Sequence, residues 1–142
     1  MPKPGLGGRG RRLTHPRRLG GRSLRFERLV AEAFEGIPEP FRSKLVNVAL
    51  VVQEKPSREL LSSLGMPPGE TLLGLYDGIP LTARGEGYNL VPPDRIIIFR
   101  RPILECCRTA EDVREQVRRT VLHEVAHFYG ISDEELRRMG SY

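Results

Sequence analysis

The sequence predicts a single α+β (α/β) domain, in which a small mixed sheet packs against one long helix. Residues 45–52 and 95–100 are short runs rich in β-branched residues, which is typical of buried strands. Residues 109–129 instead carry their apolar side chains at helical spacing. The length of 142 residues and a hydrophobic content of 39% suit one modest core rather than a membrane protein.

The first 22 residues are rich in Gly, Pro and Arg and contain few apolar side chains. Such a segment buries too little surface to offset its ordering entropy, so we expect a disordered basic tail at 1–22 and a folded domain at 23–142. Residues 1–28 hold nine of the 23 Lys and Arg but only one acidic residue. The net charge of residues 29–142 is therefore about −3. No aromatic residues are interleaved for base stacking, so we expect no specific nucleic-acid partner. A rival hypothesis is nucleic-acid binding through this tail alone.

The cysteines and the N-terminus indicate a cytoplasmic protein. Cys106 and Cys107 are adjacent, and neighbouring cysteines rarely reach disulfide geometry without strain. The basic N-terminus is followed by no apolar stretch of the secretory type, and no apolar run reaches the length of a membrane span. The oligomeric state is left open, a dimer included.

The remaining elements are predicted from caps, stops and periodicity. Ser23 is the expected N-cap of a first helix over 24–35, which Gly36 and Pro38 end. Further along we expect a short helix at 57–64, capped by Ser57, and a strand at 71–76. A hairpin turn at Asp77-Gly78 should lead into a return strand at 79–82, whose Pro80 indicates a sheet edge. A strand at 95–100 buried on both faces and a helical turn at 102–108 should follow.

The long helix is expected to start at Thr109, because Asp112 three residues later completes a capping box. The helix is amphipathic at its start and apolar nearly all round at its end, so its last turns should be buried. Gly130 ends it, and a short helix over 132–139 follows.

The buried end of this helix carries His123-Glu124-Val125-Ala126-His127, an HExxH motif. Residues at i and i+4 share a helix face, so both imidazoles can bind one metal ion while Glu124 reaches a water bound to it. The metal lowers the pKa of that water and the carboxylate takes its proton. The alternative is a pair of core histidines hydrogen-bonded to the backbone. That alternative is disfavoured, since two imidazoles and a carboxylate are costly to bury without a strong partner.

A third ligand is predicted just beyond the helix. Gly130 can take a positive φ and turn the chain, which brings Asp133 within reach of the ion. The alternative for Asp133 is a purely local role, because Ser132 and Glu135 form a capping box and an acid in the first turn favours the helix dipole. Glu134 and Glu135 are the fallback ligands.

The whole stretch, His123, Glu124, His127, Gly130 and Asp133, is HExxHxxGxxD. With it the chain resembles the zincin metallopeptidases, and most of all a short bacterial zincin-like family. The resemblance runs from about residue 24 to 142 and includes FRRP at 99–102. It implies a compact fold, His123, His127 and Asp133 as Zn(2+) ligands and Glu124 as general base. The better-known metzincins differ, since they place a third His where Asp133 stands and carry a Met-containing turn under the metal.

The favoured function is therefore zinc-dependent hydrolysis of peptide bonds in a peptide or protein substrate, which would lie along the predicted edge strand at 79–82. The alternative is a non-catalytic metal-binding or interaction module with a degenerate zincin core. His and carboxylate ligands also suit iron, nickel or manganese. A further hypothesis is that Tyr142 folds back and supports the site. The pairs Arg100-Arg101 and Arg118-Arg119 are predicted to be solvated charges, one of which could hold a substrate carboxylate.

Overall fold

The structure, a computed structural model, describes residues 16–84 and 93–140. It has helices packed on a three-stranded mixed sheet, which confirms the predicted α+β architecture. Its elements are α1 (Pro16–Glu35), β1 (Val48–Gln53), α2 (Arg58–Ser63), β2 (Gly74–Asp77), a short 3₁₀ helix (Leu81–Ala83), β3 (Asp94–Phe99), α3 (Arg100–Glu105), α4 (Ala110–Phe128) and α5 (Asp133–Arg138). Across those residues, no helix has both the length and the apolar character needed to cross a membrane.

The central strand is β3, which pairs in parallel with β1 and antiparallel with β2. Its run Ile96-Ile97-Ile98-Phe99 is at most 1% exposed, so the predicted burial on both faces is confirmed. A strand buried in this way needs partners along both of its edges and cover on both of its faces. Among the described residues β1 and β2 are therefore the two edge strands.

Helices α1 and α4 pack on each other, and α4 also packs on the sheet. The apolar stripe of α4, which includes Val117, Val121 and Phe128, is fully buried in the core against Val30 of α1 and Ile103 of α3. Burial of this stripe fixes the rotation of α4 about its axis, and with it the direction in which the other faces of the helix point.

The start of α1 differs from the prediction. The helix begins at Pro16, so Ser23 lies inside it and is not the N-cap, and residues 16–22 of the predicted tail are helical. Proline suits the first turn of a helix, because its φ is preset and that turn needs no N–H partner. Residues 1–15 of the predicted tail lie outside the described part of the chain.

The predicted return strand at 79–82 is wrong. After Asp77 the chain forms a 3₁₀ turn instead, in which the N–H of Ala83 donates to Pro80 O at 2.9 Å. Arg84 Nε donates to Ile79 O at 2.8 Å, and the Arg84 guanidinium also pairs with the buried Asp94 carboxylate. These local bonds satisfy backbone groups that a strand would have paired in a ladder, and Pro80 has no N–H to offer one.

Candidate metal centre

The end of α4 presents two imidazoles on one face. His123 and His127 are one turn apart, and their ring centroids lie 4.6 Å apart at an interplanar angle of 76°. The capping box at the helix start is present as predicted, with the side chains of Thr109 and Asp112 bonded to each other's backbone N–H. Because Phe128 anchors the last turn in the core, the two rings face the cleft beside β2.

The carboxylate of Asp133 contacts both of these rings. Its Oδ1 lies 3.0 Å from His123 Nε2 and 2.8 Å from His127 Nε2. Gly130 makes this approach possible at a φ of 86°, and the N–H of Ile131 donates back to Ala126 O at 3.0 Å. A residue with a Cβ would be strained at that φ.

The capping box of α5 does not use the Asp133 carboxylate. The N–H of Glu135 donates to Ser132 Oγ at 3.2 Å, and the N–H of Ser132 donates to Glu135 Oε1 at 2.9 Å. This cap engages Glu135, while Glu134 is exposed and lies 3.8 Å from Arg138. The structure thus brings Asp133, and neither fallback acid, to the histidines.

Glu124 is the buried member of the group, at 5% exposure. One of its oxygens lies within 4.8 Å of ligand nitrogens of both histidines. Its Oε1 is 3.1 Å from His127 Nδ1, the ring nitrogen opposite the one that faces Asp133. A hydrogen bond at Nδ1 holds the ring so that Nε2 points to the common centre.

These contacts shift the ionisation of the group. The hydrogen bond with Glu124 raises the pKa of His127; burial opposes this, and the charges of Glu124 and Asp133 add to it. Burial acts to raise the pKa of Asp133, but hydrogen bonds and charges from His127 and His123 outweigh it and lower that pKa. The carboxylate is therefore kept charged beside two ring nitrogens.

The donor set fits a divalent ion of the zinc type. Two imidazole nitrogens and one carboxylate oxygen are three of the usual zinc donors, and donors arranged tetrahedrally at normal zinc distances lie about 3.3 Å apart. The separations of 3.0 Å and 2.8 Å around Asp133 Oδ1 are a few tenths of an ångström shorter. Asp133 is half-exposed, so its side chain can withdraw by that amount without disturbing the core.

Sequence reasoning missed the contribution of Gly74, the first residue of β2. A Cβ built at this position would lie 2.7 Å from Thr120 Cγ2 and 3.2 Å from Glu124 Cγ, so only glycine lets β2 lie this close to the motif helix. The signal was present, because a glycine inside an apolar strand pattern often marks the close approach of another backbone or side chain.

A cleft of about 650 Å³ opens over the metal centre. From α4 and α5 the lining residues are Gln116, Arg119, Thr120, His123, Glu124, His127, Asp133 and Arg137, and the other lining residues are Leu64, Met66 and residues 70–75. The edge strand β2 and the segment leading into it therefore line the same cleft as the histidines. Tyr142 lies outside the described residues.

A helix that carries an HExxH motif and packs beside an edge strand defines the class as zincin-like, and the family comparison agrees. The chain matches the family model of the zincin-like metallopeptidases over residues 45–141, so it belongs to that family. One similar solved structure is a conserved hypothetical protein from T. thermophilus, at 27% identity and a TM-score of 0.49, covering 74% of this chain and 91% of that one. No curated protein matches the chain.

Proposed function

We propose that this protein is a zinc-dependent peptidase, in which His123, His127 and Asp133 hold the ion and Glu124 is the general base. The observation that carries the proposal is the convergence of both Nε2 atoms on one oxygen of Asp133, at 3.0 Å and 2.8 Å, inside a cleft rather than in the core. A zinc ion, when bound, supplies a Lewis acid that polarises a carbonyl and makes water acidic near neutral pH.

The protein's own groups supply the rest of the chemistry. Glu124 is buried at the base of the cleft, where its carboxylate takes the proton of the attacking water and passes it to the leaving amine. Its contact with His127 Nδ1 gives it a second task, which is to orient that ring. The two tasks are separable by mutation, because an amide oxygen can still accept from Nδ1–H whereas an amide cannot act as a base.

The substrate edge is β2, not the 79–82 segment that the sequence predicted. Residues 72–75 line the cleft beside α4, and among the described residues β2 has a partner strand on one side alone. An extended peptide added along the free edge would gain backbone hydrogen bonds and pass its scissile bond over the histidines. The peptide is the expected partner, with no specific nucleic acid and no membrane.

The test measures zinc content by elemental analysis and turnover of a broad peptide library for the parent, Glu124→Gln and Glu124→Ala. Glu111→Gln, an exposed position in the first turn of α4, is the matched control. We expect Glu124→Gln to keep zinc and to lose turnover by at least roughly 100-fold, Glu124→Ala to lose turnover and bind zinc more weakly, and the control to behave as the parent. If every variant, the parent included, retains zinc but cleaves no peptide, the peptidase proposal is refuted and the non-catalytic metal-binding module is favoured.

The cytoplasm is the compartment we propose. Cys106 and Cys107 are both free, which is the usual state of thiols in a reducing environment. Burial and the neighbouring Cys106 raise the pKa of Cys107 to about 11, so that thiol is a poor nucleophile.

A further inference from the structure

The arginines of the two predicted pairs have different surroundings. Arg118 pairs with Glu115 at 2.6 Å. Arg100 and Arg101 both pair with Glu54, at 2.9 Å and 3.3 Å. Three of the four charges are thus held by acids of the protein itself, away from the cleft.

Arg119 is the exception, because it lines the cleft. It is exposed, and within residues 16–84 and 93–140 its guanidinium makes no hydrogen bond or ion pair, although the charge of Glu115 also acts on it. It lies four residues before His123 and so on the same helix face, about 6 Å along the axis from the first histidine. An extended peptide advances about 3.3 Å per residue, so this head group can reach a substrate group one or two residues from the scissile bond.

The charge of the cleft favours an anionic group there. Arg119 and Arg137 line it together with three carboxylates, those of Glu70, Glu124 and Asp133. A divalent ion turns this balance from one net negative charge to one net positive charge. A partly dehydrated cleft with a positive surplus attracts carboxylates, and guanidinium binds them in a two-pronged geometry.

The neighbouring wall adds a second preference. Leu64, Met66 and Leu72 also line the cleft, and Leu64 is 47% exposed. A ligand that covers exposed apolar side chains inside a cleft binds more tightly, because apolar surface is removed from water. A peptide with an apolar residue next to an acidic one matches both walls.

We propose that Arg119 is a specificity-determining residue that binds a carboxylate of the peptide substrate, one or two residues from the scissile bond. The proposal rests on the peptidase function above and names its substrate class, which is peptides that carry an acidic side chain or a terminal carboxylate near the bond that is cut.

The first measurement is turnover of matched peptides that differ only in one side chain, Asp against Asn or Glu against Gln, each made with a free or an amidated C-terminus. The parent is compared with Arg119→Gln, and Arg118→Gln is the control, since Arg118 is the adjacent arginine and its partner is Glu115. We expect the parent and the control to prefer the acidic peptides by roughly 10- to 100-fold, as for a hydrogen bond to a charged group. Arg119→Gln should lose that preference and turn over the acidic and the amide peptides at equal rates. The C-terminal pair tells whether the carboxylate is terminal or a side chain.

The second measurement separates this proposal from the peptidase function. Equilibrium binding of the same peptides is measured by calorimetry with zinc-loaded Glu124→Gln, with and without Arg119→Gln. If no protein cleaves any peptide but acidic peptides still bind more tightly and lose that advantage with Arg119→Gln, the peptidase function fails and the carboxylate site stands. Equal discrimination with and without Arg119, in turnover or in binding, overturns the carboxylate site.

Discussion

Gly74→Ala should damage both the stability of the fold and the function of the metal centre. The added Cβ would lie 2.7 Å from Thr120 Cγ2, about 0.7 Å inside the 3.4 Å at which ordinary contact begins, and 3.2 Å from both Glu124 Cγ and Ile97 O. Overpacking of this size costs about 2 kcal/mol of unfolding free energy, which lowers the Tm of a domain of this length by roughly 5–10 °C. Displacement of Glu124 should reduce turnover by a further roughly 10- to 100-fold.

A second substitution tests the assigned cause. Thr120→Ser removes the methyl that the new Cβ would strike and keeps the hydroxyl that donates to Gln116 O at 2.8 Å. Thermal melting of Gly74→Ala with and without Thr120→Ser should therefore show most of the lost Tm recovered. Gly36→Ala is the comparison, since the nearest approach of its Cβ, 3.3 Å to Glu32 O, is much milder than 2.7 Å. If Gly74→Ala melts as Gly36→Ala does, or if Thr120→Ser rescues nothing, the close-approach argument is refuted.

Three further predictions concern the ligands and the core. Asp133→Ala should weaken zinc binding by roughly 100-fold, whereas Glu134→Ala should leave it unchanged; equal losses in a competition titration would return Asp133 to a purely local role. The hydrogen bond with Glu124 raises the pKa of His127. On acidification, protons should therefore begin to displace zinc at a pH above about 6.5, which is the ordinary histidine pKa. A zinc affinity that stays constant from about pH 8 to about pH 6.5 would contradict this. Asp94→Ala should cost about 3 kcal/mol in denaturant unfolding, since it leaves the Arg84 guanidinium without its buried partner; a loss under about 1 kcal/mol would show that this pair does not hold the 79–84 segment.

The helical half of the site was predictable because its signals are local. Thr109 with Asp112, and Ser132 with Glu135, fix the starts of α4 and α5 through contacts within one turn. The spacing of the two histidines and the φ of Gly130 follow from the same short stretch of chain. Neighbours in sequence decide such features, so a single sequence carries them.

The strand half was not predictable in the same way. The identity and the orientation of the strands beside β3 depend on pairing between segments some 20 to 50 residues apart. Local sequence patterns do not specify such long-range pairing. The same applies to the 79–82 segment, whose predicted strand gave way to a turn held by Arg84 and the buried Asp94. The edge strand predicted for the substrate is therefore absent at 79–82, although Gly74 already marked the strand that lies beside the motif helix.

The geometry also bears on the choice between a peptidase and a binding module. All the proposed donors come from residues 123–133, one helix end and the turn after it, so an ion held by them would be surrounded from one side and open to the cleft on the other. A structural zinc site encloses its ion with four protein ligands, commonly cysteines. In the part of the chain that the structure describes, His123, Glu124 and His127 offer ligand atoms within 4.8 Å of one another, and Asp133 Oδ1 lies beside both histidines. Neither cysteine belongs to this group. An ion held by two imidazoles and a half-exposed carboxylate keeps a position for water or a carbonyl, and this is the arrangement that hydrolysis requires.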